Sequence, residues 1–571
     1  MDKKQTRVVL LWVIAAAVGW LGAPLLGRRP APMMPPAAVS LDFDGERALE
    51  SARAYVTRHP TRVLGSIESR QSTGFLKDQL AILGYDVQYQ HFEALVAGRT
   101  QVGRNVFALK RGQLAETIVV VAHYDTAGTT VQGAADNGIG VAAMLELARV
   151  FADETPRRSI LFVACDGEEW GMLGTQDFAQ SYAGRKDIAA AVSLDGFCPG
   201  LMTHFRLHTA GLMNGYSPPW LRRLAGDAAR QEGLPVAEPS GVKELIDRAF
   251  LISNSDHGPF LAAGIPAITL GGEAADRAEA WKVIHTAGDT IDRLDPPSIE
   301  KYGRAAERLV RALAGLPALP KESMSQFQVI SGRFFPPSAV FCLHLLCFLP
   351  FLAAFRFQWK GHADDLSVEL VQRELPAFLG AWIPFLAGYG GIVLLTRLGY
   401  LPQYSLFPPP PGDPIAETPS WGAMGAIVLL GIIAAAILFF LGKFLARKLP
   451  QSAFAPAKLF VLILFLGVLL LALIYNSCWA VTFLALPSVI WSLVRGGTTA
   501  GGRAANRILI VAAAIPYFAI TLSYVLAMGL GWKALWFQTL ALSAGLFTLS
   551  GFCLATAAIA VGIRLLALQS R

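Results

Sequence analysis

From residue 334 onward the chain is a succession of long apolar runs, at 335–355, 376–396, 421–442, 459–475, 478–494, 508–529 and 537–563. A bilayer core of ~30 Å takes about 20 apolar residues per helix. Lipid offers no partner to backbone N–H and C=O groups, so such runs can only be helices. Residues 334–571 therefore read as an all-α membrane domain of about seven helices. Asn476-Ser477 marks a turn inside the 459–494 stretch, which is too long for one span. A further run at 8–26 follows Lys3, Lys4 and Arg7 and precedes Arg28-Arg29-Pro30. It is long for the apolar part of a cleaved signal peptide, so 1–29 reads as an uncleaved N-terminal transmembrane anchor. Residues 30–39 are a Pro-rich linker.

Hydrophobic residues make up 53% of the chain, and the excess lies in these runs. The net charge of +7 needs no nucleic-acid partner, because the basic residues of the second half fall between the runs. With the N-terminus in the cytoplasm, cytoplasmic loops hold Arg356, Lys360 and Arg373, then Lys443, Arg447, Lys448 and Lys458, then Arg495, Arg503 and Arg507, and finally Arg564 and Arg571. Outer loops are nearly free of them: 400–420 has none, and Lys533 stands alone. The positive-inside bias places the residues between the first and second spans outside the cytoplasm. The bacterial periplasm is the favoured compartment, since no Asn-x-Ser/Thr sequon occurs there, with an ER lumen as the eukaryotic equivalent. The six cysteines form no CxxC and no zinc-ligand spacing, and a Cys165–Cys198 disulfide is possible but disfavoured.

Residues 40–318 have ordinary globular composition, with 319–333 as a linker to the spans. Helices are expected at 44–58, 69–83, 217–232 and 297–313, and strands at 84–89, 105–109, 158–165, 188–194, 205–208 and 265–270. This alternation predicts an α/β fold with a mainly parallel, doubly covered sheet. The most informative stretch is 117–147. Ile118-Val119-Val120-Val121 reads as a strand buried on both faces, ending in His123-Tyr124-Asp125. Ala135-Asp136-Asn137-Gly138 then precedes an amphipathic helix carrying Val141, Met144, Leu145 and Ala148. Strand ends of open α/β sheets are where such folds build sites.

Four more motifs follow: DGEEW at 166–170, SLDG at 193–196, SDHGPF at 255–260 and HTAGDT at 285–290. Imidazoles and carboxylates at loop ends suit a pair of zinc ions with one bridging carboxylate, which activate water and polarise a carbonyl. A carboxylate outside the ligand set is needed as general base and then acid. Neighbouring Glu168 and Glu169 can divide these tasks, and Asp125 can fix the His123 tautomer.

HxD, ADNGxG, DGEEWGxLG, SLDG, SDHxPF and HTxxDT, in this order, resemble the di-zinc exopeptidases of the bacterial leucine-aminopeptidase type, a family that also holds glutaminyl cyclases. The resemblance covers about residues 40–318. It implies a zinc-exopeptidase-like fold, two Zn2+ ions, and a peptide substrate. It also implies that His123, Asp136, Glu169, Asp195 and His285 bind metal, with Asp136 bridging, while Glu168 shuttles the proton and Asp125 orients His123. Domain plus multi-span tail resembles the endoplasmic-reticulum metallopeptidases of this family. The expected activity is a membrane-anchored zinc aminopeptidase in which Glu168 deprotonates a metal-bridged water. Glutaminyl cyclase or another exopeptidase activity stays open, as does a membrane scaffold or transporter with an accessory peptidase domain. So do other divalent metals, since zinc, cobalt and manganese share such N/O sites. His257 reads equally as a supporting or a structural histidine, Asp289 as a cap or support for the site, and Trp170 as packing. His59, His91, His204 and His208 read as structural. The sequence leaves the oligomeric state open.

Overall fold

Ile118, Val119, Val120, Val121 and Ala122 are all fully buried at the centre of an eight-stranded sheet. A β-branched run without a polar face settles only where both sides are covered. The computed structural model describes residues 3–31, 40–404, 415, 418–446, 453–497, 499–528 and 531–569. The linker at 32–39 and the basic residues Arg447, Lys448 and Arg571 lie outside the described residues. The chain divides into two compact units. One is Gly27–Pro336 with Tyr404–Glu417, and the other is Met1–Leu26 with Pro337–Gln403 and Thr418–Arg571.

In the first unit the strands are β1 (Val87–Val96), β2 (Arg99–Lys110), β3 (Leu114–His123), β4 (Arg158–Cys165), β5 (Ile188–Leu194), β6 (Met202–His208), β7 (Val236–Ala237) and β8 (Ala267–Ala274). Their order is β1-β2-β4-β3-β5-β8-β6-β7. The central β4-β3-β5-β8 strands are mutually parallel, and β1, β2 and β6 pair antiparallel to their inner neighbours. Side chains alternate between two cores, as the period of a strand requires. Ile118, Val120, Ile160 and Phe162 pack on one face with Tyr55, Val141 and Leu309 from the helices Gly45–Arg58, Ile139–Phe151 and Pro296–Gly315. Val119, Val121, Leu161 and Val163 face the opposite core with Phe178 and Phe260. The sheet is therefore mixed, mostly parallel and covered on both sides.

Helix starts follow their caps: Asp44 accepts the Arg47 N–H, Ser66 the Ser69 N–H, and Asp295 the Ser298 N–H. Two expectations are revised. The strand expected at 84–89 begins at Val87 and runs to Val96, because pairing with β2 along its whole length decides its end. The 319–333 stretch is not bare linker, since Phe327–Ile330 pairs antiparallel with Arg333–Phe335. Cys165 and Cys198 are both free thiols.

Among the described residues of the second unit, six helices are long and apolar enough to cross a membrane: Gln5–Ala23, Pro337–His362, Val368–Arg397, Trp421–Phe440, Phe454–Tyr475 and Leu549–Leu568. Ala500–Ala512 and Ile515–Ser523, bent by 42°, make a seventh if they form one span. This half is membrane-spanning in character, but two expected runs differ. The 478–494 run is a helix of 17 residues, Ser477–Leu493, whose start Asn476 caps by accepting the Trp479 N–H. The 537–563 run breaks into Ala534–Ser543 and Leu549–Leu568, with Gly545 between them at a φ of 81°. Of the basic residues assigned to loops, Arg356, Lys360, Arg373, Lys443, Lys458, Arg503, Arg507 and Arg564 lie within helices instead, and two of them are buried. Lys458 is buried in Phe454–Tyr475 and donates to the carbonyls of Ser492 and Val494. Arg564 lies within Leu549–Leu568, 2.6 Å from Glu374 of Val368–Arg397. Each cation is satisfied where it sits, as burial demands.

Candidate metal centre

The C-terminal ends of the central parallel strands converge on one point. His123 is the last residue of β3, the Asp166–Glu169 turn follows β4, and Asp195 follows β5. Asp136 lies in the turn between β3 and the helix Ile139–Phe151, and His285 in the loop after β8. His123 Nε2 lies 3.1 Å from Asp136 Oδ1, 3.5 Å from Asp195 Oδ1 and 4.0 Å from Glu168 Oε2. His285 Nε2 lies 3.0 Å from Asp136 Oδ2 and 3.1 Å from Glu169 Oε2. Two triads result, His123–Asp136–Asp195 and Asp136–Glu169–His285, each with its ligand atoms within 4.8 Å of one another. Asp136 belongs to both and turns one oxygen to each histidine.

The loops are held from beneath. Asp125, fully buried, accepts the backbone N–H of Glu168 at 3.0 Å and of Glu169 at 3.2 Å. The same carboxylate lies 3.4 Å from His123 Nδ1, so one side chain sets both the imidazole and the Glu-Glu turn. Asp289 accepts the N–H groups of Ala135 and Asp136, at 2.8 and 3.0 Å, and so supports the site without facing it. His285 adopts a φ of 60°, rare for a residue with a side chain, and Thr129 donates to its carbonyl at 2.7 Å.

Two further supports have no role assigned from the sequence, Arg62 outside every motif and Asn137 within the Asp136 motif. Arg62 is fully buried and donates to the carbonyls of Tyr124 at 2.7 Å and of Gln132 and His59 at 2.8 Å. Asn137 donates to the Leu194 carbonyl at 2.9 Å and so joins the Asp136 turn to the Asp195 strand end. Gly140 must lack a side chain here, since a Cβ would fall 2.1 Å from Asn137 Oδ1 and 2.5 Å from the Leu194 carbonyl.

The cluster is strongly negative. Five carboxylates, Asp125, Asp136, Glu168, Glu169 and Asp195, surround two imidazoles. Burial favours neutral His123 and His285, but the charge of Glu168 beside the first and Glu169 beside the second reverses this and holds both well above the usual histidine range. Burial pushes Glu168 and Glu169 up. Burial acts on Asp136 in the same sense, yet its hydrogen bonds to both histidines hold it below the ordinary carboxylate range. Glu169 Oε1 is buried with no partner among the described residues. A buried surplus of negative charge with orphaned acceptors calls for a cation, and mixed N/O donors suit zinc.

The remaining motif residues separate into layers. His257 is 1% exposed, its Nδ1 lies 2.9 Å from Thr269 Oγ1, and its ring centroid is 6.4 Å from that of His208. Burial, and His208 after it, push His257 down to about 3. Asp256 bonds Thr175, and burial pushes it up to about 7. His59 pairs with Glu68 and His204 with Thr203.

A doubly covered sheet with this cluster at its strand ends defines a zinc-exopeptidase-like fold. Residues 105–310 match the model of peptidase family M28. The alkaline phosphatase isozyme conversion protein of Escherichia coli (strain K12) is 27% identical over 231 residues, 36% of this chain and 64% of that protein. Aminopeptidase YwaD of Bacillus subtilis (strain 168) is 25% identical over 251 residues, 42% of this chain and 51% of that protein. The chain thus spans less than two thirds of either relative. Among solved structures, BSAP, a zinc aminopeptidase from Bacillus subtilis, aligns with 51% of this chain and all of its own at 16% identity and a TM-score of 0.42. The Porphyromonas gingivalis glutaminyl cyclase aligns with 47% of this chain and 98% of its own at 22% identity and a TM-score of 0.39.

Proposed function

We propose that this chain is a membrane-anchored, zinc-dependent aminopeptidase that removes N-terminal residues from peptides with a two-metal centre. One observation carries the reading: Asp136 presents one oxygen to His123 and the other to His285, each within about 3 Å. A single carboxylate so placed divides the cluster into two cation sites. His123 and Asp195 would complete one, and Glu169 and His285 the other. Zinc ions held there would supply Lewis acidity toward the peptide carbonyl and acidify water. The aminopeptidase and zinc metalloprotease names among the relatives agree with this assignment.

Glu168 is the proton carrier. It stands at the rim of the cluster, 4.0 Å from His123 Nε2 and in neither triad. Burial keeps its basicity high, which suits a group that takes a proton from water and returns it to the leaving amine. Asp125 fixes its place through the Glu168 N–H. Glu168→Gln should keep the metals and lower kcat by roughly 10²–10⁴-fold, the usual weight of a general acid–base. Near-normal turnover would remove Glu168 from the mechanism. Metal analysis of the purified chain should give two zinc ions. One ion per chain, with pyroglutamyl product from N-terminal glutaminyl peptides, would turn the assignment to a cyclase.

The basic residues of the second unit support an N-terminus in the cytoplasm and a peptidase domain outside it, the bacterial periplasm being the compartment that fits best. Protease added outside spheroplasts should digest the peptidase domain and leave Lys3 and Lys4 protected.

A further inference from the structure

A cavity of about 430 Å³ that no step of the chemistry uses is lined in part by Trp170, the residue after Glu169. Val63, Leu64, Val96, Trp170 and Ile415 give it apolar walls, and Arg99 and Gln101 also line it. Its walls are tied to the centre. Trp170 directly follows Glu169. Leu64 packs on Gly167, where an added Cβ would come within 3.3 Å of it. Arg62, just before Val63, holds the carbonyls of Tyr124 and Gln132 on the metal-bearing loops. Trp170 is 7% exposed, yet its indole N–H finds no acceptor among the described residues. A buried donor left without a partner is costly, and a peptide backbone offers carbonyls.

One wall is unexpected in origin. Ile415 lies between two apolar helices, Val368–Arg397 and Trp421–Ala446, far in sequence from the peptidase domain. Tyr404, from the same connection, stacks on Trp170 with ring centroids 6.3 Å apart and planes 14° from parallel. Both residues belong to the peptidase unit.

We infer that this cavity is a subsite for an apolar stretch of peptide beyond the cleaved bond, that Trp170 donates to a backbone carbonyl of that stretch, and that Tyr404 and Ile415 complete it. The inference rests on the peptidase reading above and adds a substrate class to it: peptides of several residues with apolar side chains near the N-terminus. The volume falls in the range of sites that enclose whole small ligands, so a single aminoacyl amide would leave most of it empty. The connection between two apolar helices would then be part of the peptidase specificity apparatus.

The test uses the full chain in detergent, loaded with zinc and carrying Glu168→Gln so that ligands survive. Calorimetry compares a leucyl amide, an apolar tripeptide amide beginning with leucine, and the same tripeptide with aspartates at its second and third positions. The apolar tripeptide should bind roughly tenfold more tightly than the other two, the scale on which apolar pockets discriminate. Trp170→Phe, which removes the N–H donor together with one of the two indole rings, should shrink that advantage several-fold, and Ile415→Asp should abolish it. Val96→Ala replaces Ile415→Asp if that variant loses its zinc. Equal affinities in the parent, or an advantage that survives in both variants, overturns the inference. The wild-type chain tells the two readings apart. Tight apolar-peptide binding without hydrolysis sinks the aminopeptidase and leaves the subsite standing, whereas hydrolysis indifferent to peptide length sinks the subsite alone.

Discussion

Asp125 shows how one side chain can govern a centre it does not enter. It faces His123 Nδ1 and accepts both N–H groups of the Glu168–Glu169 pair. Asp125→Asn keeps the shape but loses the charge and one acceptor. Metal affinity should fall roughly 10–100-fold, as for other partners of metal-bound histidines, and competition with a fluorescent chelator measures it. His257 gives a pH signature. Burial in the folded chain pushes it down to about 3, whereas the unfolded chain titrates near the ordinary histidine value of about 6.5. Between these values the unfolded chain binds the extra proton, so this residue lowers stability as pH falls below about 6.5. His257→Gln removes that dependence, so urea midpoints of variant and parent, compared from about pH 7 to about pH 5, should shift in favour of the variant on acidification. A constant difference would mean that His257 does not titrate on unfolding. The seven residues expected at the site stood out in the sequence because each lies in a short motif of chemistry-bearing side chains. Arg62 did not, since a guanidinium that binds the carbonyls of Tyr124 and Gln132 in one distant loop and of nearby His59 leaves no pattern in its neighbourhood.

At the scale of elements, the buried strands were the most legible part. β4 and β5 have the bounds expected from unbroken apolar sequence, which only a doubly covered sheet accommodates. The β1–β2 hairpin was less so, because amphipathic edge strands take their length from their partner. Short helices such as Leu173–Ser181 and His257–Ala262 have too few turns to show a period. The start of Ile139–Phe151 carries the next prediction. Gly140→Ala would drive a methyl into Asn137 Oδ1 and the Leu194 carbonyl, at a cost of about 1–3 kcal/mol. It would also shift the turn that presents Asp136, so thermal stability and zinc content should fall together. Loss of stability with full zinc content would show that the turn relaxes independently of the helix.

At the scale of the whole chain, the second unit joins its helices through a few buried charges. Glu374 is fully buried against Arg564. Removing one partner leaves a bare buried charge, so Glu374→Leu alone should destabilise by about 3–5 kcal/mol, and adding Arg564→Leu should restore most of it. Melting of the variants in detergent measures both steps, and a double variant no better than the single would assign the loss to packing. Sequence alone determined which half meets lipid, that a buried mostly parallel sheet carries the other half, and which residue types gather at its strand ends. These follow from hydropathy, strand period and local motif, all of which are short-range properties of the chain. Only the tertiary structure decided that Asp136 faces two histidines 162 residues apart in sequence (His123 and His285), that Arg62 and Asp289 brace the loops, and that Lys458 and Arg564 lie within helices. It also decided that Tyr404 and Ile415 join the peptidase unit. Such pairings depend on how distant segments pack in three dimensions, which no local pattern encodes.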